Sequence, residues 1–208
     1  MKKVAVAIHA TEDFDVNSVL NLKNLDFIHV DVMDGQFVNN TMLNLEIFKI
    51  LKEKVKIPIL AHLMVSNPDE YLNQLVPYTE GIFFHIEIEM EKQSLINKIK
   101  KRGNKVGLVV NPPTPISHLQ PFLGDLDYVL VMGVNPGWSG QKFIPETIEK
   151  VNELARLKSQ YSFMIDVDGG VNLENARQLR NADLLSSSST ILKAESPNKV
   201  IKQLKNSS

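Results

Sequence analysis

The sequence predicts a (β/α)8 TIM barrel formed by one domain, residues 1–208. Short apolar runs alternate with amphipathic stretches eight times along the chain. The runs are rich in Val, Ile, Leu and Phe without strict polar alternation, which is typical of parallel strands covered by helices. No linker, low-complexity stretch or charged tail divides the sequence. A doubly wound open sheet is the alternative, but it seldom needs eight strands in a chain of this length.

The expected elements follow one another in regular order. Strands are predicted at 3–9, 26–32, 57–64, 81–88, 104–110, 127–133, 162–168 and 183–189. Helices are predicted at 14–24, 44–54, 68–77, 91–102, 145–159, 172–180 and 197–205. Asn67-Pro68 and Ser196-Pro197 each place an N-cap type residue before a Pro at the first helical position, and Asn172 offers another cap. The Pro-rich turn at 112–115 leaves room for only a short helix.

Composition excludes several classes of function. The formal net charge of −1 argues against a general binder of nucleic acid or anionic membranes. No apolar run approaches the roughly 18 residues of a membrane helix, and the apolar start is too short for a signal peptide. The chain has no cysteine, so any bound metal must use nitrogen and oxygen ligands. We therefore expect a cytoplasmic protein that binds neither nucleic acid nor membranes.

Residues capable of chemistry stand at the ends of three predicted strands. His29 and Asp31 end the second strand, His62 ends the third and Asp168 ends the seventh. The carboxyl ends of barrel strands meet at one mouth, so these side chains can converge. Two imidazoles and two carboxylates suit Zn²⁺, Fe²⁺, Mn²⁺ or Co²⁺ without distinguishing among them. Taken singly, each histidine is also compatible with an ordinary strand-end residue.

Six ordered motifs extend this pattern from the second strand to the turn after the seventh. They are HVDVMDGQFV (29–38), HLMVSNP (62–68), HIE (85–87), NPPTP (111–115), VMGVNPG (131–137) and DGGVN (168–172). With them the chain closely resembles the ribulose-phosphate 3-epimerase family, whose fold is a (β/α)8 barrel. The resemblance implies that His29, Asp31, His62 and Asp168 bind one divalent metal, with no organic cofactor. It also implies that Asp31 and Asp168 are the acid/base pair, converting D-ribulose 5-phosphate to D-xylulose 5-phosphate through an enediolate.

The resemblance further implies a substrate shell for a small phosphorylated ketose, in a protein that forms homo-oligomers. Three methionines are expected to pack against the planar intermediate: Met33, Met64 and Met132. A mobile loop over the substrate is expected at Gly137, Trp138, Ser139 and Gly140. Small residues are expected around the phosphate: Gly169, Gly170, Ser188 and Ser189.

Departures from the family concern substrate contacts and leave the substrate open. The family's first strand usually ends in Pro-Ser, and counting back from Asp13-Phe14 places the substrate-facing Ser on Ile8. Ile cannot offer a hydrogen bond, so the substrate contact at this position is expected to be lost or altered. Strand alternation predicts that the neighbouring His9 points away from the barrel interior, although a slip in register would let it compensate. Ser188 replaces a usual Gly and would carry a steric penalty if that position needs positive φ.

Three alternatives to the ribulose 5-phosphate epimerase follow. A hexulose phosphate such as D-allulose 6-phosphate is a rival substrate for the same chemistry. A sugar-phosphate-binding barrel without turnover is the non-enzyme alternative. Related decarboxylases and synthases use Asp-x-Lys-x-x-Asp, but the corresponding stretch Asp31-Val32-Met33-Asp34 is two residues shorter and has Met in place of Lys.

We expect Asp34 to support the following loop through local hydrogen bonds.

Overall fold

The computed structural model describes residues 1–138 and 140–207, which form a closed parallel barrel. The strands are β1 (Lys3–His9), β2 (Phe27–Asp34), β3 (Thr41–Met42), β4 (Ile59–Met64), β5 (Gly81–His85), β6 (Lys105–Val110), β7 (Tyr128–Met132), β8 (Met164–Asp168) and β9 (Leu184–Ser187). Neighbours follow the order β1-β9-β8-β7-β6-β5-β4-β2, and β1 pairs with β2 to close the ring. The short β3 lies antiparallel to the end of β2. The predicted TIM barrel is confirmed, and the open-sheet alternative is excluded by this closure.

Helices cover the outside of the barrel. They are α1 (Asn17–Leu20), α2 (Glu46–Lys54), α3 (Leu72–Leu75), α4 (Lys92–Lys101), α5 (Thr147–Leu157), α6 (Ser189–Leu192) and α7 (Pro197–Lys205). 3₁₀ segments are found at Pro68–Tyr71, Ile116–Asp125 and Asn175–Arg177. Within the described part of the chain, no helix combines the length and the apolar character that crossing a bilayer requires.

Two predicted helices are shorter than expected because side chains bind the backbone locally. In 172–180 only the 3₁₀ turn Asn175–Arg177 forms. The Asn175 amide oxygen accepts from the Asn172 N–H at 2.9 Å, and its NH₂ group donates to the Gly170 carbonyl at 2.9 Å. Such local bonds compete with helical ones. In 14–24 the helix is reduced to α1, which begins at Asn17, where the N–H donates to Asp15.

The apolar residues form an outer core beneath the helices and an inner core within the barrel. Phe83 and Tyr128 pack with ring centroids 5.0 Å apart in the inner core. Gly107 faces Phe83 so closely that a Cβ there would lie 2.6 Å from the ring. Large aromatic side chains thus fill the barrel interior, as expected for a fold whose functional face is the carboxyl end of the strands.

Asp34 fastens the loop after β2 to the end of β4, as the sequence analysis expected. Its Oδ1 accepts the N–H groups of Gln36 and Phe37 at 2.8 Å each, and its Oδ2 accepts the Ser66 N–H at 2.7 Å. Partial burial opposes its charge, but these backbone donors outweigh burial and hold the pKa of Asp34 below its usual value.

Gly133 brings the ends of β7 and β8 into close contact. Its N–H donates to the Asp168 carbonyl at 2.6 Å. A Cβ at this position would lie 2.2 Å from the Gly169 carbonyl oxygen and 2.8 Å from the Phe143 ring. Because one of these neighbours is backbone, only glycine fits without moving the strand end that carries Asp168.

Replacing Gly133 by Ala should therefore destabilise the protein by about 1–3 kcal/mol through overpacking. Urea unfolding followed by circular dichroism measures this. Gly124→Ala is the matched control, since a Cβ there meets nothing within 4 Å. Equal unfolding midpoints for the two variants would contradict the close approach.

Asp34→Ala should lower the free energy of unfolding by about 1–3 kcal/mol at pH 7, because three N–H groups lose their acceptor. Since the folded pKa is lowered, this contribution is complete above the unfolded pKa of about 3.9 and is lost as pH falls through the folded value. The difference in free energy of unfolding between wild type and Asp34→Ala, measured by denaturant titration, should become smaller below about pH 4. The control variant Asp13→Ala, at an exposed position, should unfold with the same free energy as wild type.

Candidate metal centre and active site

Four buried side chains converge at the carboxyl ends of β2, β4 and β8, and we call them the His–Asp cluster: His29, Asp31, His62 and Asp168. Their ligand atoms lie within 4.8 Å of one another. Asp31 Oδ1 is 3.1 Å from His29 Nε2 and 2.8 Å from His62 Nδ1. Asp168 Oδ2 is 3.9 Å from His29 Nε2 and 4.0 Å from His62 Nδ1. The structure therefore brings together all four candidate ligands.

The spacing and chemistry of the His–Asp cluster fit a divalent cation. Ligands about 2.1 Å from a tetrahedral zinc stand about 3.4 Å apart, within the range found here. All donors are nitrogen or oxygen, so hard and borderline ions are both compatible. Asp31 Oδ1 lies only 2.8 Å from His62 Nδ1, so either a proton or a cation lies between the two atoms. A divalent metal would fill that position when bound.

Burial and neighbouring charges shift the pKa values of the cluster residues in different directions; the pKa of His62, for instance, is lowered by burial. Burial opposes the charged form of His29, but the carboxylates of Asp168 and Asp31 outweigh it and raise the pKa of His29 to about 9. Burial also opposes ionisation of Asp31, yet its contacts with His29 and His62 hold its pKa below the usual range. Burial raises the pKa of Asp168. The two carboxylates thus differ in their tendency to hold a proton.

His85 and Glu87 support His62 from behind, and the sequence analysis assigned neither a role. His62 Nε2 is 2.9 Å from His85 Nε2, and His85 Nδ1 is 3.3 Å from Glu87 Oε2. With a hydrogen on Nδ1, toward the Glu87 carboxylate, His85 would accept from His62 Nε2–H through its own Nε2. The lone pair of His62 Nδ1 then points into the cluster. The HIE motif at 85–87 marked these residues in the sequence. Their contact with His62, which is 23 residues away from His85, could be found only from the folded structure.

Ser186 and Asp166 lie behind His29 in the same way. Ser186 Oγ is 3.3 Å from His29 Nδ1 and 3.1 Å from both carboxylate oxygens of Asp166. Burial raises the pKa of Asp166 to about 7. A polar partner on the second ring nitrogen fixes how an imidazole presents its first one. His29 and His62 are therefore both oriented by hydrogen-bonding neighbours.

A cavity of about 270 Å³ opens above the cluster, with Asp31 and Asp168 on its wall. Almost every residue predicted to contact substrate lines it. These residues are Met33, Met64, Met132, Gly137, Trp138, Gly140, Gly169, Gly170, Ser188 and Ser189. The remaining one, Ser139, lies outside the described residues. Sequence reasoning missed other lining residues, among them His9, Asn135 and Ser187.

The three methionines form an apolar wall beside the carboxylates. Met33 and Met64 are partners in the pairing of β2 with β4, and each is 2% exposed. Met132 is the partner of Asp168 in the pairing of β7 with β8. Thioether side chains at these positions give the cavity an apolar, polarizable surface next to two acids.

Ser188 does not carry the steric penalty that the sequence analysis considered. Its φ is −100°, so its side chain is accommodated without the left-handed conformation. The positive φ angles nearby belong to Gly169 and Gly170, at 100° and 68°. The turn after Asp168 therefore depends on glycine, and the segment at Ser188 does not.

The expectation for the end of β1 was wrong by one residue. Ile8 belongs to the outer core, whereas Ala7 and His9 line the cavity. His9 Nε2 lies 3.7 Å from Asp31 Oδ2, so the imidazole faces the site rather than pointing away from it. The apolar residues of β1 are buried on both faces, and their identity therefore does not mark which set points inward.

Solved structures with the same fold span several chemistries. KGPDC from Streptococcus mutans matches with a TM-score of 0.73 at 12% identity, covering 100% of this chain and 97% of that one. A 3-hexulose-6-phosphate synthase from Salmonella typhimurium matches with a TM-score of 0.65 at 14% identity, covering 99% and 97%. At such identities the likeness concerns the fold alone.

Sequence relatives are far closer. Ribulose-phosphate 3-epimerase of Methanocaldococcus jannaschii is 39% identical over 185 residues, covering 87% of this chain and 79% of the relative. The protein of the same name from Bacillus subtilis is 36% identical over 188 residues, covering 88% and 87%. Residues 3–192 also match the ribulose-phosphate 3 epimerase family as a whole. With the barrel and the His–Asp cluster in place, the chain belongs to the ribulose-phosphate 3-epimerase family.

Proposed function

We propose that this protein is a metal-dependent epimerase that inverts C3 of D-ribulose 5-phosphate to give D-xylulose 5-phosphate. The observation that carries the proposal is the convergence of Asp31 and Asp168 with two histidines beneath one cavity. Family membership supports the reaction class and the phosphorylated ketose. The cluster supports the particular residues.

His29, His62, Asp31 and Asp168 would hold the metal. When bound, a divalent cation would make the C3–H of the substrate more acidic and stabilise the negative charge of an enediolate. The chain itself presents the ligands, since His85 and Ser186 orient the two imidazoles.

Asp31 and Asp168 would move the protons. One carboxylate takes the C3 proton; the electrons of the C–H bond form the C2–C3 double bond of the enediolate, and the π electrons of the C2 carbonyl move onto its oxygen. The other, as a carboxylic acid, then delivers a proton to C3 from the opposite face while the C2 carbonyl re-forms. Two acids are needed because a single base would mostly return the proton to the face it left. No electron is gained or lost overall, so the reaction needs no redox cofactor.

The remaining residues of the cavity would bind and shield the sugar. Met33, Met64 and Met132 would pack against the planar intermediate and keep water from it. Trp138 and its neighbouring glycines would cover the substrate. Backbone amides at Gly169 and Gly170, with the hydroxyls of Ser188 and Ser189, would bind the phosphate.

Solvent deuterium separates the two proton transfers. In D₂O, metal-loaded wild type should interconvert ribulose 5-phosphate and xylulose 5-phosphate and place deuterium at C3 in both. Asp31→Asn and Asp168→Asn should each slow interconversion by at least about a hundredfold, the usual effect of losing an acid/base group. Each variant keeps one acid/base residue on one face of C3. It should therefore exchange the C3 hydrogen of at most one epimer with solvent, and the two variants should act on different epimers. NMR follows both processes.

Metal content, measured on the same samples, distinguishes loss of a proton carrier from loss of a ligand. Retained interconversion in either metal-loaded variant would contradict the two-acid mechanism. A wild-type protein that does not convert ribulose 5-phosphate but does convert D-allulose 6-phosphate would identify a hexulose phosphate as the substrate. An inert, metal-loaded wild type that only binds these sugars would favour the barrel without turnover.

Glu87→Gln should weaken metal binding by about tenfold or more, because the charge that fixes His85, and through it His62, is removed. Competition with a chromophoric chelator for Zn²⁺ measures the affinity. Glu89→Gln is the matched control, since Glu89 lies two residues away and is exposed. Equal zinc affinities in the two variants would mean that Glu87 does not support the metal centre.

A further inference from the structure

The last residue of β1 is held firmly beside Asp31. His9 is the register partner of Asp31 in the pairing of β1 with β2. The Ala10 N–H donates to the Asp31 carbonyl at 3.0 Å, and the Thr11 N–H donates to the His9 carbonyl at 2.9 Å. The backbone on both sides of His9 is thus fixed. Its side chain, 26% exposed, lines the cavity.

The two carboxylate oxygens of Asp31 have different surroundings. Oδ1 faces His29 Nε2 and His62 Nδ1 at 3.1 Å and 2.8 Å. Oδ2 faces His9 Nε2 at 3.7 Å, on the cavity side. If Oδ1 serves the metal centre, Oδ2 is the oxygen left to exchange a proton with a substrate. His9 therefore stands next to the oxygen that would do the chemistry.

The separation of 3.7 Å exceeds that of a direct hydrogen bond, which is about 2.7–3.2 Å. It leaves the imidazole close enough to Oδ2 for one small polar group to contact both. A sugar hydroxyl fits this arrangement, because it can accept from an imidazole N–H while it donates to a carboxylate oxygen. An imidazole whose hydrogen is on Nε2 supplies that donor.

We propose that His9 is a substrate-positioning residue of this chain, which donates a hydrogen bond to a ketose oxygen next to C3 and so places C3 against Asp31 Oδ2. The inference rests on the proposed function, since it needs a sugar in the cavity. It assigns a substrate contact to an imidazole from β1, where the sequence predicted an apolar residue and a lost or altered contact.

Two substitutions separate hydrogen bonding from bulk. His9→Leu keeps a branched side chain of moderate size without a donor, and His9→Gln keeps an N–H donor on a neutral side chain. In zinc-loaded protein, His9→Leu should lower kcat/KM for ribulose 5-phosphate by roughly tenfold, the effect of one lost hydrogen bond. His9→Gln should recover most of that loss. His118→Leu is the matched control, because His118 is exposed and lies outside the cavity lining.

Zinc affinity and thermal stability should be unchanged in all three variants, which a merely structural role would not allow. Calorimetric titration with ribulose 5-phosphate should show weaker binding for His9→Leu, a readout that needs no turnover. Should His9→Leu not fold, His9→Ala replaces it in both assays.

The outcomes distinguish the two proposals. Active wild type with unchanged kcat/KM in His9→Leu overturns the role of His9 alone. Zinc loss that matches the loss of activity also overturns it, because His9 would then act on the metal centre. Wild type that binds the sugar without turnover overturns the proposed function, while weaker binding by His9→Leu would still support the contact. Wild type that neither binds nor converts the sugar overturns both.

Discussion

The pairing register of β2 with β4 is the constraint on which the rest of the site depends. It sets Asp31 directly opposite His62 and Met33 opposite Met64. Because side chains alternate between the two faces of a strand, a slip of one residue would turn His62 toward the helices and separate it from Asp31. The relative positions of the ligands are therefore set first by the backbone hydrogen bonds between strands and only then by the side-chain conformations.

Buried polar groups at the cluster need partners, and these partners come from distant parts of the chain. His62 is supported by His85 at the end of β5, and His29 by Ser186 on β9. A charge or imidazole in a dry interior without such partners would carry a large desolvation penalty. The site consequently requires the complete ring of strands, since no single βα unit contains both a ligand and its support.

Much of the fold and the cluster could be predicted from the sequence, for identifiable reasons. A polar residue at the end of an apolar run is conspicuous, and barrel topology brings such ends together, so all four candidate ligands were found. The face on which Ile8 lies was not predictable, because β1 is apolar on both sides. The 3₁₀ turn that replaces the helix at 172–180 depends on the side-chain bonds of Asn175. The role of His85 depends on a neighbour that is distant in sequence.

Trp138 is the only tryptophan in the chain, and 62% of it is exposed although it lines the cavity. An indole in contact with water emits at longer wavelength than one covered by a ligand or by protein. The protein thus contains a single indole, at the mouth of its own pocket. Excitation at wavelengths that tyrosine does not absorb would follow occupancy of that pocket without a label and assign the emission to one residue.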